Sequence, residues 1–385
     1  MNEAVFGVLG VGNIGSAHAG ALYRGDIPGA RLGYLCDVDP KKRDFCRENY
    51  PGVEVLDDAG KLFDARPDAV IVSVPHPLHA KMGIAALEAG ISVLTEKPVD
   101  ISLKRARVLC EAAKKSGKTL AVMLNQRTDP LFIKARELVK TGALGDLKRS
   151  VWIVTNWYRT QEYYDSGDWR ASWTGEGGGV LMNQAPHNLD LWQWICGMPS
   201  SLRAECPRGK FHDIEVEDEA TLFCRYPNGA SGVFVASTGD YPGTNRLEIT
   251  GTKGKLVLEK SRLTLETFSP DERVFCFDKA RKPRDTQKTT LFQNGKGSHA
   301  AILRNFTNHL LFGEELISPG EDGLAQVTIT NAAYLSAFKG REVDIPIDEE
   351  EYEELLRDLQ KNSRRSAGAS SSPDGKYKTR WQVNW

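Results

Sequence analysis

The segment Ala4-Val5-Phe6-Gly7-Val8-Leu9-Gly10-Val11-Gly12-Asn13-Ile14-Gly15 decides how this chain begins to fold. Its first half is an apolar run without alternation, which predicts a strand covered on both faces. Its second half has the spacing Gly-x-Gly-x-x-Gly and leads into a helical stretch. Between a strand and a helix, such glycines permit a tight turn and let the backbone approach a dinucleotide pyrophosphate, which the helix N-terminus attracts.

The first 125 residues alternate short apolar strands with helices. The predicted strands are Ala4–Leu9, Arg31–Cys36, Ala69–Val74, Ile91–Thr95 and Leu120–Leu124, and the predicted helices are Ile14–Arg24, Pro40–Asn49, His79–Ala89 and Lys104–Ser116. This alternation is typical of an α/β fold with a doubly wound parallel sheet of the Rossmann type. Its ligands bind beyond the C-terminal ends of the strands.

The pattern changes after Asn125. A helix over Leu131–Thr141 is followed by long alternating runs, which predict a mainly antiparallel sheet with one exposed face. Those runs are Leu147–Thr155, Val216–Tyr226, Ala230–Ser237 and Arg246–Thr250, and a hairpin turn at 226–230 joins two of them.

Three regions follow from this pattern. We predict a nucleotide-binding domain over 1–125 and an α/β domain for substrate and oligomerisation over 126–346, with a helix at Gly323–Lys339 that returns to the first domain. Residues 347–385 are predicted as an acidic helix (Asp348–Leu359), a flexible linker (Ser363–Asp374) and an aromatic tail that contains Tyr377, Trp381 and Trp385. The tail is either disordered or reaches a neighbouring subunit.

Composition excludes several classes of protein. The chain has 385 residues and a formal net charge of −1, without a dense basic block, so it has no field that would attract nucleic acid. No apolar stretch approaches the roughly 20 residues that a membrane span needs. The chain enters a strand at once, which leaves no room for a signal peptide. Seven scattered cysteines without a C-x-x-C pair are typical of reduced thiols, so we expect a cytoplasmic protein without a metal centre.

Asp37 is the residue expected to select the cofactor. It ends the second predicted strand about 20 residues after the glycines, where a carboxylate accepts hydrogen bonds from both ribose hydroxyls and repels a 2′-phosphate. NAD is therefore favoured over NADP, although Lys41 and Lys42 weaken this preference. The residues predicted to bind NAD are Gly10, Gly12, Asn13, Ile14, Gly15, Asp37, Ser73, Pro75, His76, His79, Glu96, Lys97 and Asn125.

Pro75-His76-Pro77-Leu78-His79 follows the third predicted strand. The prolines end the strand and direct a loop across the cofactor. Either histidine could contact the nicotinamide half or cap the next helix, and for His79 the two roles are equally supported.

The tripeptide Glu96-Lys97-Pro98 places a lysine at the C-terminal end of a parallel strand, where this architecture binds its ligands. Oxidation of a secondary alcohol removes a hydride from carbon and a proton from oxygen. The Lys97 ammonium would stabilise negative charge on that oxygen, and a histidine would accept the proton. On its own, without the other motifs, Lys97 is better explained as a surface lysine that ends a strand.

His187 is the best candidate for that base. Gly177-Gly178-Gly179 permits a close backbone approach, and Leu181–Ile195 is helical in period, which would place Asn183, His187 and Asp190 on one face. Asp190 would either orient His187 or hold the interface between domains. The alternative for His187 is a buried histidine without a chemical role.

Together these residues resemble the glucose–fructose oxidoreductase/inositol dehydrogenase family, also called Gfo/Idh/MocA. The resemblance runs from Ala4 to about Pro346. It rests on Gly10–Gly15, Asp37, the 75–79 loop, Glu96-Lys97-Pro98, Gly142–Gly145, Gly177–Gly179 with His187 and Asp190, Gly251–Gly254 and Asp322–Leu324. It implies NAD(P) at the glycines, a sugar or polyol substrate, and dimers or tetramers that pair through the second sheet. It also implies that Lys97 and His187 are catalytic and that the Lys97–Pro98 bond is cis.

One position departs from the family. Members similar to inositol dehydrogenase carry an aspartate four residues before the histidine, where this chain has Asn183, and an amide cannot hold the charge that raises imidazole basicity. The block from Gly179 to His187 resembles a subset that acts on glycosides, including oxidation at C3 of a glucosyl unit. We therefore expect a glucosyl unit as the substrate and its NAD-dependent oxidation at C3 as the reaction.

An aromatic stretch before the glycine triplet supports a carbohydrate, because flat rings stack on the C–H faces of sugars. Packing between domains or subunits explains the same composition equally well. The residues predicted to bind substrate are Lys97, Trp157, Arg159, Tyr163, Trp169, Arg170, Asn183 and His187.

Three other functions are alternatives for a chain with these residues. A glycosidase that retains NAD would oxidise its substrate transiently and eliminate the aglycone. An inositol dehydrogenase would use the same lysine and histidine on a cyclitol. A non-catalytic NAD sensor would not need both residues, so their presence argues against it.

Overall fold

The computed structural model describes residues 3–167, 169–277, 285–292 and 296–363. Its strands are β1 (Ala4–Leu9), β2 (Ala30–Cys36), β3 (Glu54–Leu56), β4 (Ala69–Val72), β5 (Ser92–Thr95), β6 (Leu120–Val122), β7 (Leu147–Val154), β8 (Ser201–Glu205), β9 (Glu219–Arg225), β10 (Ser231–Ser237), β11 (Asn245–Gly251), β12 (Gly254–Glu259), β13 (Arg262–Ser269), β14 (Asp285–Phe292) and β15 (Val343–Asp344).

Twelve α-helices lie in the described residues. They are α1 (Asn13–Tyr23), α2 (Pro40–Asn49), α3 (Ala59–Asp64), α4 (His79–Glu88), α5 (Leu103–Ser116), α6 (Pro130–Lys140), α7 (Gln161–Asp165), α8 (Pro186–Cys196), α9 (Glu272–Phe275), α10 (His299–Phe312), α11 (Gly323–Lys339) and α12 (Glu349–Lys361). Each of these helices is too short or too polar to span a bilayer.

The first sheet has six parallel strands in the order β3-β2-β1-β4-β5-β6. Every residue of β4 and β5 is buried, because helices cover both faces of the sheet. The strand order reverses between β1 and β4, so a crevice opens there beyond the C-terminal strand ends. The predicted Rossmann-type fold is confirmed.

The second sheet has nine strands in the order β14-β13-β12-β11-β7-β10-β9-β8-β15. The pairing of β7 with β10 is parallel, and the other described pairings are antiparallel. Residues alternate between buried and partly exposed along β7 and β10, so one face packs on helices and the other is open. The predicted open, mainly antiparallel sheet is confirmed, as is the hairpin at 226–230.

Two helices near the end of the chain connect the sheets. Helix α10 packs on the first sheet, where Phe306 meets Phe6 with ring centroids 6.1 Å apart. In α11, the Asn331 side chain accepts a hydrogen bond from Leu103 N (2.8 Å) and donates one to Ile101 O (3.0 Å), which ties the helix to the start of α5. The return to the first sheet therefore involves α10, which the sequence patterns did not reveal, as well as α11.

The helix that carries His187 is shorter than predicted. Helix α8 begins at Pro186, which suits the first position of a helix because its missing N–H needs no partner there. Residues 180–185 form turns instead, and Asn183 lies in them. The predicted tail, including Tyr377, Trp381 and Trp385, lies outside the described residues.

Candidate active site

The glycine turn between β1 and α1 is shaped by close backbone contacts. Gly10 has φ +89°, and a Cβ on Gly15 would lie 1.9 Å from the Gly10 carbonyl oxygen. The Ser73 hydroxyl donates to Gly10 O at 2.7 Å, so this predicted cofactor residue holds the turn itself. Gly10 and Gly15 are therefore required by the fold.

Gly12 differs from these two glycines. Apart from its neighbours in the chain, no described residue comes within 4 Å of the position that its Cβ would take. Gly12 is also the residue before α1, and no side chain caps that helix end, so the first N–H groups of α1, those of Asn13 and Ile14, have neither an intrahelical nor a side-chain acceptor. The turn thus offers what a pyrophosphate needs: room, unpaired N–H groups and the positive end of a helix.

Asp37 lies beside this turn, at the end of β2. Its carboxylate accepts hydrogen bonds from Val11 N (2.7 Å) and Asp39 N (2.9 Å), and the Lys42 ammonium lies 3.4 Å away. These contacts fix the carboxylate next to the glycines, as a ribose ligand requires. Lys42 pairs with it, which agrees with the opposing effect expected of that lysine.

Asn125 shows a second feature that fits a nucleotide. It follows β6 at the same rim of the sheet and is 2% exposed. Its side-chain nitrogen lies 3.4 Å from His299 Nδ1, whereas its buried side-chain oxygen has no hydrogen-bond partner among the described residues. A buried amide oxygen of this kind fits a donor on a bound molecule. With the glycine turn, it makes the crevice suitable for NAD.

The loop after β4 divides its two histidines between different roles. Both ring nitrogens of His79 face backbone carbonyls, Pro98 O at 2.6 Å and Val74 O at 2.7 Å. His79 therefore braces the loop from within. It does not cap α4, whose N-terminus has no side-chain cap, and its contact with the cofactor stays a prediction. His76 follows Pro75, and its Nδ1 lies 3.2 Å from Glu176 O, which joins the loop to the second half of the chain.

Glu96 and Lys97 follow β5, and the Lys97–Pro98 peptide bond is cis, as the resemblance implied. Glu96 is buried and its Oε1 lies 2.8 Å from His18 Nε2. Burial acts to raise the pKa of the Glu96 carboxyl, but the hydrogen bond and charge of His18 hold that pKa well below its usual range. Glu96 therefore supports the strand end as a carboxylate, and its side chain contacts His18 within the protein.

The Lys97 side chain crosses to the other half of the site. Its ammonium donates to the Asn183 carbonyl at 2.9 Å. Burial lowers the pKa of Lys97, Glu96 and Glu176 act to raise it, and Arg159 lowers it further. The Lys97 side chain thus reaches from the end of β5 to the turn that carries Asn183, in the second half of the chain.

His187 lies in the first turn of α8 and is 5% exposed. Burial lowers its pKa well below the ordinary value for histidine, and the charge of Lys97 lowers it further. The imidazole is therefore unprotonated near pH 7, the form in which a histidine accepts a proton, and the same lowering of its pKa makes it a weaker base than an exposed histidine. The charge of Lys97 acts on the His187 ring, so the two side chains lie in the same region, and their catalytic roles stay a prediction.

Asp190 settles one of the alternatives left open by the sequence. Its carboxylate accepts from Arg127 Nη2 (2.6 Å) and Nε (2.8 Å), and both side chains are 1% exposed. Arg127 follows β6 and also pairs with Asp322. Asp190 therefore holds the interface between the two halves of the molecule.

Asn183 is not presented on the helix with His187, because it precedes α8. Its side-chain amide donates to Glu176 and lies 3.4 Å from the Tyr163 hydroxyl. Glu176 directly precedes the glycine triplet and is 1% exposed, yet sequence reasoning did not select it. An acidic residue beside a glycine run was the available signal.

The predicted aromatic loop forms one cluster beside Asn183. The Arg170 guanidinium lies 4.5 Å from the ring centres of both Tyr163 and Trp169, and it donates to the Tyr163 hydroxyl at 2.9 Å. Arg159 lies 4.9 Å from the Tyr163 ring centre and 5.8 Å from that of Trp157. The five predicted residues of this loop are thus brought together next to Lys97.

Comparison with known proteins agrees with this geometry. Residues 5–124 match the model of the oxidoreductase family with an NAD-binding Rossmann fold, and residues 132–257 match the GFO/IDH/MocA C-terminal domain. The WlbA dehydrogenase from Chromobacterium violaceum, solved with NADH and UDP-GlcNAcA, superposes with a TM-score of 0.78 at 28% identity, over 90% of this chain and 97% of that one.

Two curated relatives match over most of their length. Inositol 2-dehydrogenase from Rhizobium meliloti is 25% identical over 88% of this chain and 98% of its own. D-glucoside 3-dehydrogenase from Escherichia coli is 26% identical over 88% of this chain and 96% of its own. The chain belongs to the Gfo/Idh/MocA family and is an NAD-binding oxidoreductase of the sugar and cyclitol dehydrogenase type.

Proposed function

We propose that the chain oxidises a ring secondary alcohol of a sugar, glycoside or cyclitol, with C3 of a glucosyl unit as the favoured position. The observation that carries this proposal is that the Lys97 side chain, at the end of β5, acts electrostatically on the buried imidazole of His187 in the first turn of α8, and donates to the Asn183 carbonyl that precedes this helix. One group accepts a proton and the other stabilises charge on oxygen, which together are what alcohol oxidation requires.

The two residues divide the work at the substrate hydroxyl. Lys97 donates a hydrogen bond to the oxygen and stabilises the negative charge that develops there. His187 accepts the hydroxyl proton, because burial keeps its imidazole unprotonated near pH 7. NAD, when bound, supplies the acceptor for the hydride that leaves the carbon bearing this hydroxyl. Asn183 orients Lys97 through its carbonyl.

The loop cluster supports a carbohydrate ring as the substrate. Trp157, Tyr163 and Trp169 supply flat faces, and the guanidinium groups of Arg159 and Arg170 supply donors for hydroxyls. Similarity to the E. coli glucoside 3-dehydrogenase favours a glucoside, whereas similarity to the Rhizobium enzyme favours inositol as the second candidate.

The test is NADH absorbance with purified protein, NAD, and a panel of glucose, glucosides, inositols and sugar phosphates. We expect stoichiometric NADH with a glucoside, and a 10²–10³-fold lower kcat, roughly, for Lys97→Met. Lys118→Met is the matched control, because Lys118 is exposed and precedes β6, at the N-terminal ends of the parallel strands, whereas Lys97 follows the C-terminal end of β5. Loss of a glycoside without net NADH would point instead to a glycosidase that retains NAD.

We also propose that two copies pair through the open face of the second sheet. On this face Val151, Val233 and Phe223 lie in one row across three neighbouring strands, and Phe223 is 56% exposed. An apolar row of this kind is typical of a subunit contact. Phe223→Glu should lower the mass measured by light scattering, whereas Val274→Glu, at an exposed site on α9, should not.

A further inference from the structure

Glu176 is a buried acid that the proposed proton transfer does not use. One carboxylate oxygen accepts a hydrogen bond from Ala171 N at 2.6 Å, and the other accepts from the Asn183 side-chain amide. Its main-chain carbonyl contacts His76 Nδ1 at 3.2 Å. Glu176 therefore touches both the loop after β4 and the segment that faces Lys97.

A short chain of contacts joins Glu176 to the Lys97 ammonium. The carboxylate holds the side chain of Asn183, and the main-chain carbonyl of the same residue accepts from Lys97 Nζ at 2.9 Å. The position of the lysine thus depends on a residue that Glu176 holds in place.

Charge gives a second connection between these groups. One carboxylate oxygen of Glu96 accepts a hydrogen bond from the Lys97 backbone N–H at 3.2 Å, and its other oxygen lies 2.8 Å from His18 Nε2. Arg159 acts against the Lys97 charge, whereas Glu176 supports it. Burial raises the pKa of Glu176, and Arg170 and Lys97 act to lower it.

We propose that Glu176 is a positioning residue for Lys97: its carboxylate fixes Asn183 and supplies the negative charge that keeps the lysine protonated in the site. The catalytic consequence rests on the proposed function. A neutral amine cannot stabilise an alkoxide as an ammonium does, and the nicotinamide of oxidised NAD adds a positive charge nearby. A second carboxylate close to Lys97 offsets that charge.

The first test follows the protonation of Lys97 without any substrate. Full-length protein is labelled with acetic anhydride at a series of pH values, and mass spectrometry of the Lys97 peptide gives the pH midpoint of its reactivity. The groups around Lys97 that contribute to this midpoint are Glu96, Glu176, Arg159, His76, His79, His187 and His299.

In Glu176→Gln we expect the Lys97 midpoint to fall by roughly one pH unit, the lower end of the range for loss of a close opposite charge. The double variant Glu176→Gln/Asn183→Asp moves the charge across one hydrogen bond, so its midpoint should return toward that of the wild type. Glu162→Gln is the matched control, because Glu162 is exposed on α7. An unchanged midpoint in Glu176→Gln would overturn the proposal.

The second test uses activity and separates positioning from folding. In Glu176→Gln, kcat should fall about tenfold or more with little change in KM, and the alkaline limb of the kcat profile should move to lower pH with the labelling midpoint. If Glu176→Gln does not fold, the double variant Glu176→Gln/Asn183→Asp decides the question. A Lys97 labelling midpoint in this double variant that lies a full pH unit below that of the wild type would refute the proposal. Wild type that produces no NADH would refute the proposed function and leave the labelling result valid.

Discussion

Replacing Asp190 by asparagine tests what the buried ion pair with Arg127 does. Both side chains are 1% exposed, and their two hydrogen bonds are 2.6 and 2.8 Å long. Asparagine keeps one acceptor and loses the charge, so the guanidinium retains Asp322, which is 39% exposed, as its remaining charged partner. We expect a loss of about 3 kcal/mol in the free energy of unfolding, at the lower end of the range for a broken buried pair.

That loss corresponds to a fall of roughly 6–12 °C in Tm for a unit of 150–250 residues. The assay is thermal and urea unfolding followed by circular dichroism, with Asp57→Asn as the control. Asp57 pairs with Lys61 on the surface, where the two side chains are 53% and 61% exposed and solvent screens the pair, so Asp57→Asn should leave Tm close to that of the wild type.

The same variant distinguishes the two roles that the sequence left open for Asp190. If Asp190 holds the interface, neutralising it lowers the free energy of unfolding and the Tm. If it orients His187, neutralising it lowers kcat and leaves the Tm unchanged. Equal Tm values for Asp190→Asn and Asp57→Asn, with a large fall in kcat in the first, would refute the structural assignment. Arg127→Met/Asp190→Leu should recover most of the stability, because it leaves no buried charge.

Three further predictions follow from the nucleotide crevice. Gly15→Ala should destabilise the fold by about 1–3 kcal/mol in urea unfolding, because its Cβ would overlap the backbone. Gly12→Ala should fold with near-wild-type stability and bind NADH at least tenfold more weakly than the wild type in a fluorescence titration. Equal NADH affinities of Gly12→Ala and the wild type would contradict this assignment. Asp37→Ala should lower the ratio of kcat/KM for NAD over NADP, and an unchanged ratio would count against its assignment as the ribose ligand. The pKa of Glu96, about 2 against an ordinary 4.5, should contribute about 3 kcal/mol of stability above pH 4.5 that is lost as pH falls toward 2. Because His18→Gln raises the pKa of Glu96 in the folded state, the variant should lose less stability than the wild type in unfolding curves measured from pH 7 to pH 2. Parallel curves for the two proteins would exclude the contact with His18 as the cause.

The residues that sequence reasoning found share one property: each lies at the end of a strand or the start of a helix with a local signal. Gly10–Gly15 follow an apolar run, and Lys97 ends another. In a parallel sheet, the carboxyl ends of strands meet at one rim, so these positions follow from the order of elements alone. His187 was marked by the glycine triplet before it.

The residues that were missed depend on contacts between distant segments. His299 lies 174 positions after Asn125, and no local pattern predicts that the two meet. Asn183 was placed on a helix because its spacing from His187 fits one turn, but the proline at 186 begins the helix three residues later. Periodicity alone does not show where a helix starts.

The packing of α10 on the first sheet has a consequence for how this protein is made. When the ribosome has completed all six parallel strands, Phe6 and its neighbours still lack the helix that covers them, which arrives about 180 residues later. The nascent chain therefore carries an exposed apolar surface during nearly half of its synthesis, a surface of the kind that chaperones bind. For the same reason, an expression fragment that stops at residue 125 should aggregate, and one that fuses 299–312 to it should remain in solution.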